Sequence, residues 1–500
     1  MQLQFQPTVH SCMQRVVWEA KSEEQSQEVR LPDTMPDVAQ VLSCWGQPVI
    51  RSKEWRGNSM SVSGGVMAWV MYLPENTQQP ESIETWIPFQ LRWDFPQTQR
   101  DGQMVFSCLL QSIDARQISA RKMMLRCVVS ATGEALEPGK MEVFSPMELP
   151  EDVQILRSEY PVQVAVEAGE KSFALDETLN WPASCADTEK IVYYTLQPEI
   201  VDRKIMADKA VFRGAALVHA LCRTVDGQLR TCKFEIPFSQ FAELEREYGS
   251  GATLQILPAL TSLELEKQED GTVRLKAGLI GQYVVYDRKM LQIVEDAYSL
   301  QRPVQMQTQP LSVLSTVEMA VQKLEAVQEQ QIDDVTAVDA FFMMGQPMRK
   351  RSDDALQLAC SGTFQLLCED GDGNLNGMYI QWQGQTEFAA DQRTHICAVA
   401  QPSGMPQATV NGDVAMCSAD VLLHTQSAAE LIVPMVTGLE LGELTTPDKG
   451  RPSLILRRPG DQSLWELAKE SGSTVDAILK ANALTERPED DRLLMIPVIG

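Results

Sequence analysis

Short runs of apolar residues recur along most of the chain, bounded by turn-forming residues. Examples are 66–72 (VMAWVMY), 215–221 (AALVHAL) and 363–367 (TFQLL). Runs of this length between turn signals are typical of β-strands. Asp226-Gly227 and 370–373 (DGDG) follow two of these runs. They predict hairpins whose central turn positions both have positive φ. The pattern therefore predicts a mainly β fold up to about residue 447.

Three kinds of marker recur at spacings of 148 to 150 residues. The markers are Gln-Pro at 47–48, 197–198 and 346–347, glycine at 65, 214 and 362, and Ile-Pro-Phe at 87–89 and 236–238. This period is too long for a solenoid, whose repeats have roughly 20 to 50 residues. It predicts three tandem β-rich domains over 1–149, 150–305 and 306–447. Linkers are expected near 148–151, 303–310 and 446–452, where proline, glycine and charged residues cluster.

Helical patterns are fewer in this part of the chain. Residues 31–42 predict a short helix with proline near its first turn. Residues 315–340 are ambiguous, because their apolar positions have helical spacing while the equivalent part of the second copy has a strand pattern. We expect β structure for part of this range.

The last stretch, 451–500, has a different pattern. A short β-type run at 454–456 comes first, and Ser463 then precedes Glu466 by three residues, which is the spacing of a helix capping box. Gly472 predicts the end of that helix, and Ser473 with Asp476 predicts the cap of a second one. A final apolar run precedes Pro497. The predicted order is strand, helix, helix, strand.

This stretch resembles a LysM module. The matching positions are 460–465 (GDQSLW), 467–468 (LA), 473–475 (STV), 478–479 (IL), Asn482, Leu484 and 494–497 (LMIP). The resemblance implies a βααβ fold that binds N-acetylglucosamine polymers between the first strand–helix loop and the second helix–strand loop. Beside that groove, acidic 490–492 (DDR) replaces the usual Gly-Gln and disfavours sugar binding.

We predict that a partner contacts the loops of this LysM-like segment, because loops on a rigid scaffold usually carry binding. The candidate residues are Gly460, Asp461, Gln462, Ser463, Trp465, Asn482, Ala483 and Leu484. Some have a structural alternative. Ser463 and Asn482 can cap or end a helix, and Trp465 can pack on the neighbouring β domain instead of anchoring a partner.

A second resemblance covers the repeated part. Residues 31–43 (LPDTMPDVAQVLS), followed by Val49-Ile50, resemble the start of the SPOCS domain of spore-coat morphogenetic proteins. Degraded versions occur at 181–183 (WPA) and 332–334 (IDD). Tandem SPOCS domains with one C-terminal LysM form the layout of a clostridial family whose members interact with the ATPase of the coat's basement layer. The resemblance implies a protein of the mother-cell cytosol, at the forespore surface.

Charge and composition exclude several classes. A net charge of −25 disfavours nucleic-acid binding, which needs clustered lysine and arginine. No apolar run is long enough to predict a transmembrane segment, and the N-terminus does not resemble a secretory signal. The eleven scattered cysteines are therefore expected to be mostly thiols in a reducing compartment. Cys222 and Cys232 are expected to face each other across a hairpin.

No motif indicates catalysis, a metal or a cofactor. Asp372, Asn374 and Asn376 match the start of an EF-hand loop, but the twelfth position holds Gln383 instead of glutamate. A hairpin turn is the better interpretation. His219 lies in an apolar run and is expected to be a hydrogen-bonded core residue. We therefore expect a non-enzymatic protein without a cofactor.

Three functions remain open from the sequence. The leading one is a spore-coat scaffold that binds the coat ATPase through its LysM-like segment and other coat proteins through its SPOCS-like copies. The second is a cell-wall protein that binds peptidoglycan or chitin, or a wall hydrolase. The third is a structural component of a phage-tail-like particle.

Overall fold

A computed structural model describes residues 1–77, 79–96, 101–314, 318–332, 335–351, 355–389, 394–445, 450–488 and 492–499. The fold is mainly β, as the hydrophobic pattern predicts. The strands up to residue 299 are β1 (Gln2–Leu3), β2 (Phe5–Arg30), β3 (Val38–Arg56), β4 (Ser59–Pro74), β5 (Glu81–Asp94), β6 (Gln103–Ser119), β7 (Lys122–Pro146), β8 (Val153–Leu179), β9 (Thr188–Met206), β10 (Lys209–Thr224), β11 (Leu229–Glu243), β12 (Thr253–Lys267) and β13 (Val273–Ser299). The later ones are β14 (Val304–Leu314), β15 (Glu318–Gln331), β16 (Val335–Met344), β17 (Met348–Arg351), β18 (Ala355–Asp370), β19 (Leu375–Ala389), β20 (Thr394–Asn411), β21 (Val414–Leu441), β22 (Leu454–Arg457) and β23 (Leu494–Pro497). The helices are α1 (Leu464–Ser471) and α2 (Val475–Ala481), with a 3-10 turn at Ala183–Cys185.

The same strand arrangement occurs three times, in unit one (5–146), unit two (153–299) and unit three (304–441). In unit one, β3, β4 and β5 form one antiparallel sheet, and β2, β7 and β6 form another. In unit two the corresponding sheets are β9-β10-β11 and β8-β13-β12. In unit three, β14 and β15 together take the place of the single first strand and pair with β21. The first and last strands of every unit are therefore partners.

The paired first and last strands extend far beyond the rest of each unit. Strand β13 alone has 27 residues, which corresponds to roughly 90 Å of extended chain. The far ends of these strands from all three units pack on one another and form what we call the stem (5–14, 137–146, 153–163, 288–299, 304–314 and 430–441). Its buried core includes Val143 of unit one, Ile293 of unit two and Val433 of unit three.

The recurrent Gln-Pro glutamines connect the units in a closed ring. Each of the three side chains hydrogen-bonds the backbone of the following unit. Gln47 Oε1 accepts from Leu196 N at 3.0 Å, Gln197 Nε2 donates to the Pro402 carbonyl, and Gln346 Nε2 donates to the Ser107 carbonyl at 3.3 Å. Units one, two and three therefore contact units two, three and one, respectively. The arrangement has approximate threefold symmetry within a single chain.

The recurrent glycines lie in the middle strands β4, β10 and β18, where neighbouring groups approach closely. A Cβ atom added at Gly214 would collide with the carbonyl oxygen of Glu199. At Gly65 the collision would be with the ring of Trp86, and at Gly362 with the ring of Phe342. A side chain is thus excluded at all three glycines, although their strand registers differ: Gly214 lies opposite Phe238, whereas Gly65 lies opposite Pro88.

Unit two contacts unit three through a buried carboxylate. Asp339 accepts hydrogen bonds from the hydroxyl of Tyr193 at 2.5 Å, from Nε2 of His219 at 2.8 Å and from the hydroxyl of Thr231 at 3.2 Å. The ring of Tyr193 stacks on Trp45 of unit one. Burial, and then Asp339, raise the pKa of Tyr193 well above its ordinary value. His219 is thus a hydrogen-bonded core residue, as expected.

Two expectations about local structure are wrong. Residues 31–42 do not form a helix, because Val38 begins strand β3 and pairs with Pro74. Before the strand, a single turn forms in which the Met35 N–H donates to the Pro32 carbonyl at 3.0 Å. The guanidinium of Arg121 donates to the carbonyls of Pro32 and Met35, which gives these backbone acceptors a partner outside a helix. The expected linker at 303–310 is instead part of strand β14.

Other local expectations have mixed outcomes. Residues 318–331 are strand β15 and 335–340 belong to β16, so β structure overrides the helical spacing, while 315–317 and 333–334 lie outside the described residues. Residues 148–150 form an irregular connection, as expected, and the linker residues 446–449 also lie outside the described ones.

The predicted hairpins form, but with a different turn. At 224–228 the Gly227 N–H donates to the Thr224 carbonyl, and the Thr224 N–H donates to the Gln228 carbonyl. Only the glycine has positive φ, at 87°. This is a three-residue loop that ends in a left-handed glycine, rather than a two-residue turn. The Asp372 loop is likewise the hairpin between β18 and β19.

Cys185 and Cys232 form a disulfide, which the sequence did not predict. Cys222 is buried and free, and Cys232 lies opposite Ala220 rather than opposite Cys222. The expected Cys222–Cys232 pair is therefore wrong. The other nine cysteines are free.

Candidate partner-binding site

The C-terminal segment packs around its own small core. Strands β22 and β23 pair antiparallel, and α1 and α2 lie between them in the chain. Its buried residues are Leu464, Leu467, Ala468, Ile478, Leu494 and Ile496. In α1 they lie at positions i, i+3 and i+4, which is one face of a helix, and Leu494 and Ile496 alternate along the last strand.

The start of α1 has the predicted capping box. The Glu466 N–H donates to the Ser463 hydroxyl at 3.2 Å, and the Ser463 N–H donates to Oε2 of Glu466 at 2.7 Å. These donors to the ionised carboxyl lower the pKa of Glu466. The helix ends at Gly472, with φ of 64°. At α2 the cap is Thr474 rather than the predicted Ser473, whose side chain is buried.

Asn482 has a structural role. Its Nδ2 donates to the carbonyls of Ile478 at 2.8 Å and Met495 at 2.7 Å, and its Oδ1 accepts from Met495 N at 2.8 Å. The side chain therefore joins the end of α2 to strand β23. Asn482 and Ser463 were each expected either to contact a partner or to cap or end a helix. Their observed hydrogen bonds correspond to the second role.

Trp465 packs on unit two. Its Nε1 donates to Asp296 Oδ2 at 2.8 Å, and its ring meets the Tyr298 ring nearly edge-on, with centroids 4.8 Å apart. Lys469 Nζ is 2.7 Å from Asp296 Oδ2, and the Tyr298 hydroxyl donates to the carbonyl of Ser473 at 2.8 Å. One face of α1 is thus docked on the stem end of β13, so Trp465 is engaged within the chain.

The two loops predicted to bind a partner lie next to each other. Nη2 of Arg487 donates to the Gly460 carbonyl at 2.6 Å and so links the first loop to the second. Gly460, Asp461 and Ala483 are exposed. Ala483 has φ of 50°, a left-handed conformation that is uncommon for residues other than glycine, and its N–H donates to the Lys480 carbonyl at 3.3 Å.

The remaining candidate residues are partly buried. Gln462 donates to Glu470 Oε1 at 3.0 Å, and Leu484 packs against the small core. Asp490 and Asp491 lie outside the described residues. The structure therefore brings together an exposed surface made of Gly460, Asp461 and Ala483, which we call the loop surface.

Sequence reasoning missed Asp296 and Tyr298, which hold the segment in place. Both lie in strand β13, and Asp296 is 169 residues before Trp465 in the sequence. Nothing in a single sequence connects such distant positions. The available signal was the partial exposure that periodicity assigns to Trp465, a large aromatic residue on the polar side of α1.

No protein-family model, no curated protein and no solved structure matches this chain. Within the described ranges, neither helix has the length and apolar character needed to cross a membrane. Among the same residues, no group of three or more His, Cys, Asp or Glu side chains is arranged to hold a metal ion.

Proposed function

We propose that the chain is a non-enzymatic scaffold of the spore coat that binds the coat's basement-layer ATPase through its LysM-like segment. It acts in the mother-cell cytosol at the forespore surface. The proposal combines the two resemblances with the arrangement of the C-terminal segment.

The observation that carries the proposal is the fixed presentation of the loop surface. Trp465, Lys469 and Ser473 attach the segment to Asp296 and Tyr298, while Gly460, Asp461 and Ala483 stay accessible. A surface held by intramolecular contacts loses little conformational entropy when a partner binds. This suits protein recognition by a rigid scaffold.

The three ring-forming units support the scaffold role. The outer strands β5 of unit one and β11 of unit two have exposed residues in alternation with buried ones. The glutamine contacts hold the three units in one arrangement. Several weak sites on one rigid body raise the effective concentration of each for its partner. The units would thus bring other coat proteins to the ATPase layer.

The test is binding of the purified coat ATPase to the immobilised full-length chain, measured by interferometry. Asp461→Arg should weaken binding at least tenfold, because it reverses the charge at the centre of the loop surface. Glu269→Arg is the matched control. It makes the same charge change in an exposed hairpin of unit two and should bind like wild type.

Two results would reject the proposal. One is wild-type protein that does not bind the ATPase but binds chitooligosaccharide. The other is equal loss of ATPase binding in the Asp461→Arg and Glu269→Arg variants, because that loss would reflect overall charge instead of the loop surface.

A further inference from the structure

Strand β22 has one free edge, and the contacts of Met495 show which backbone groups face it. The N–H of Met495 donates to Asn482 and its carbonyl accepts from Asn482, so both groups point away from β22. Met495 is paired with Leu456. In an antiparallel ladder, paired residues direct their backbone groups either both toward each other or both away. Leu456 therefore directs its N–H and carbonyl away from β23.

Neighbouring residues follow the same alternation. The Ser453 carbonyl accepts from Val498 N at 3.0 Å, so residues 453 and 455 face β23, and Leu454 faces outward like Leu456. Pro497, which pairs with Leu454, has no N–H to direct toward it. In the part of the chain that the structure describes, the outward groups of Leu454 and Leu456 have no hydrogen-bond partner.

The side chains beside this edge are apolar and accessible. Leu454 is 48% exposed and Leu456 58% exposed, and Met495 on the paired strand is exposed too. They lie on the sheet face opposite the buried Leu494 and Ile496. We call this surface, made of the backbone and side chains of Leu454 and Leu456 with the side chain of Met495, the β22 edge.

We propose that the β22 edge receives an extended segment of the partner protein, which adds to the sheet as a third strand. The inference rests on the proposed function and specifies how the partner is held. Two N–H groups and two carbonyls that alternate along a strand are complementary to another extended backbone. A helix cannot satisfy them, because its own backbone groups are already paired.

The surroundings of the edge indicate the composition of that segment. Alternate side chains of the added strand would lie against Leu454 and Leu456, and should be apolar. At the end of β22 the Arg457 guanidinium pairs with Glu470 at 2.7 Å, so its charge is compensated within the segment. The apolar pair therefore determines the composition of the added strand. The loop surface begins at Gly460 and continues the contact beyond the strand.

The experiment uses the full-length chain and the purified coat ATPase, with Leu456→Pro as the main variant. Proline removes an N–H that the fold does not use and places its ring on the edge, while the bonds between β22 and β23 remain. Binding should weaken at least tenfold. The double variant Leu454→Gln/Leu456→Gln keeps both N–H groups and should weaken binding severalfold through lost apolar contact.

Val225→Gln is the matched control, because Val225 is an exposed apolar residue in a hairpin of unit two. It should bind like wild type. Amide exchange of α1 reports whether each variant keeps the segment folded. If Leu456→Pro does not fold, the glutamine double variant decides the outcome.

The outcomes separate this inference from the proposed function. If wild type binds, Asp461→Arg loses binding and the β22 variants do not, the β22 edge is excluded and the proposed function stands. If wild type does not bind the ATPase, both are rejected. If wild type is a dimer that Leu456→Pro converts to a monomer, the edge pairs with a second copy, and the inference is overturned.

Discussion

Substitution of Asp296 should release the C-terminal segment from the stem. Asp296 accepts a hydrogen bond from Trp465 Nε1 and forms an ion pair with Lys469. A hydrogen bond to a charged group contributes about 1.5 to 3 kcal/mol. The ion pair adds less than about 1 kcal/mol, because both side chains are partly exposed. Asp296→Ala should therefore destabilise the docked state by about 2 kcal/mol.

Amide hydrogen exchange of α1 in the full-length chain measures this effect. A change of about 2 kcal/mol corresponds to roughly thirtyfold faster exchange where opening involves undocking. Asp476→Ala is the matched control. Asp476 forms an exposed i,i+4 pair with Lys480 within α2, and such pairs contribute only about 0.3–0.5 kcal/mol. Unchanged α1 exchange in Asp296→Ala would show that this docking does not hold the segment.

Three further changes test the fold. Gly214→Ala should lower the free energy of unfolding by about 1–3 kcal/mol, because the new Cβ meets a backbone carbonyl. Gly249→Ala is the control and should leave the free energy of unfolding unchanged, because a Cβ at Gly249 meets no other atom. Thermal unfolding of the two variants measures the difference. Reduction of Cys185–Cys232, which are 47 residues apart, should cost up to about 4 kcal/mol of stability in the loop-entropy model. A Cys222→Ser variant should show the same loss on reduction. Burial, and then Arg203, lower the pKa of His424 to about 4 from 6.5, so the unfolded chain binds the proton first as pH falls. The contribution of His424 to the free energy of unfolding should be complete above pH 6.5 and fall by about 3 kcal/mol towards pH 4. In urea unfolding, His424→Gln should therefore reduce the dependence of stability on pH between these values. An equal pH dependence in wild type and variant would contradict this assignment.

The local features of the fold could be predicted because short-range physics determines them. The apolar runs form strands, the glycine turns form hairpins, and Ser463 and Glu466 form a capping box. Where tertiary pairing competes with the local pattern, the local pattern alone misleads. Residues 31–42 predict a helix, but Val38 begins strand β3 and pairs with Pro74. Residues 318–331 have apolar positions with helical spacing, yet they pair along β21 as a strand, in line with the strand pattern of the second copy.

Long-range contacts could not be predicted from the chain alone. The Gln-Pro period indicates repetition, but not that Gln47, Gln197 and Gln346 each contact the next unit. At the candidate site, the order of elements and the capping box of α1 followed from local patterns, whereas the cap of α2 is Thr474 instead of the predicted Ser473. The engagement of Trp465 depends on Asp296, which is 169 residues away in sequence.

The approximate threefold symmetry offers three stem ends, and side-chain chemistry explains why the C-terminal segment uses the one in unit two. The last paired residues of the three long final strands are Pro146, Ser299 and Leu441. One position earlier, unit two has Tyr298, whereas unit one has Ser145 and unit three has Glu440.

Three positions before the last pair, unit two has Asp296, where the other units have Val143 and Gly438. Only unit two therefore provides both an acceptor for Trp465 and Lys469 and a ring for edge-on contact with Trp465. The stem core brings Val294 and Ala297 of unit two against Leu439 and Leu441, so the chain that leaves unit three starts beside this end. The three units are alike in arrangement, but Asp296 and Tyr298 occur only in unit two. These two residues therefore determine where the C-terminal segment docks.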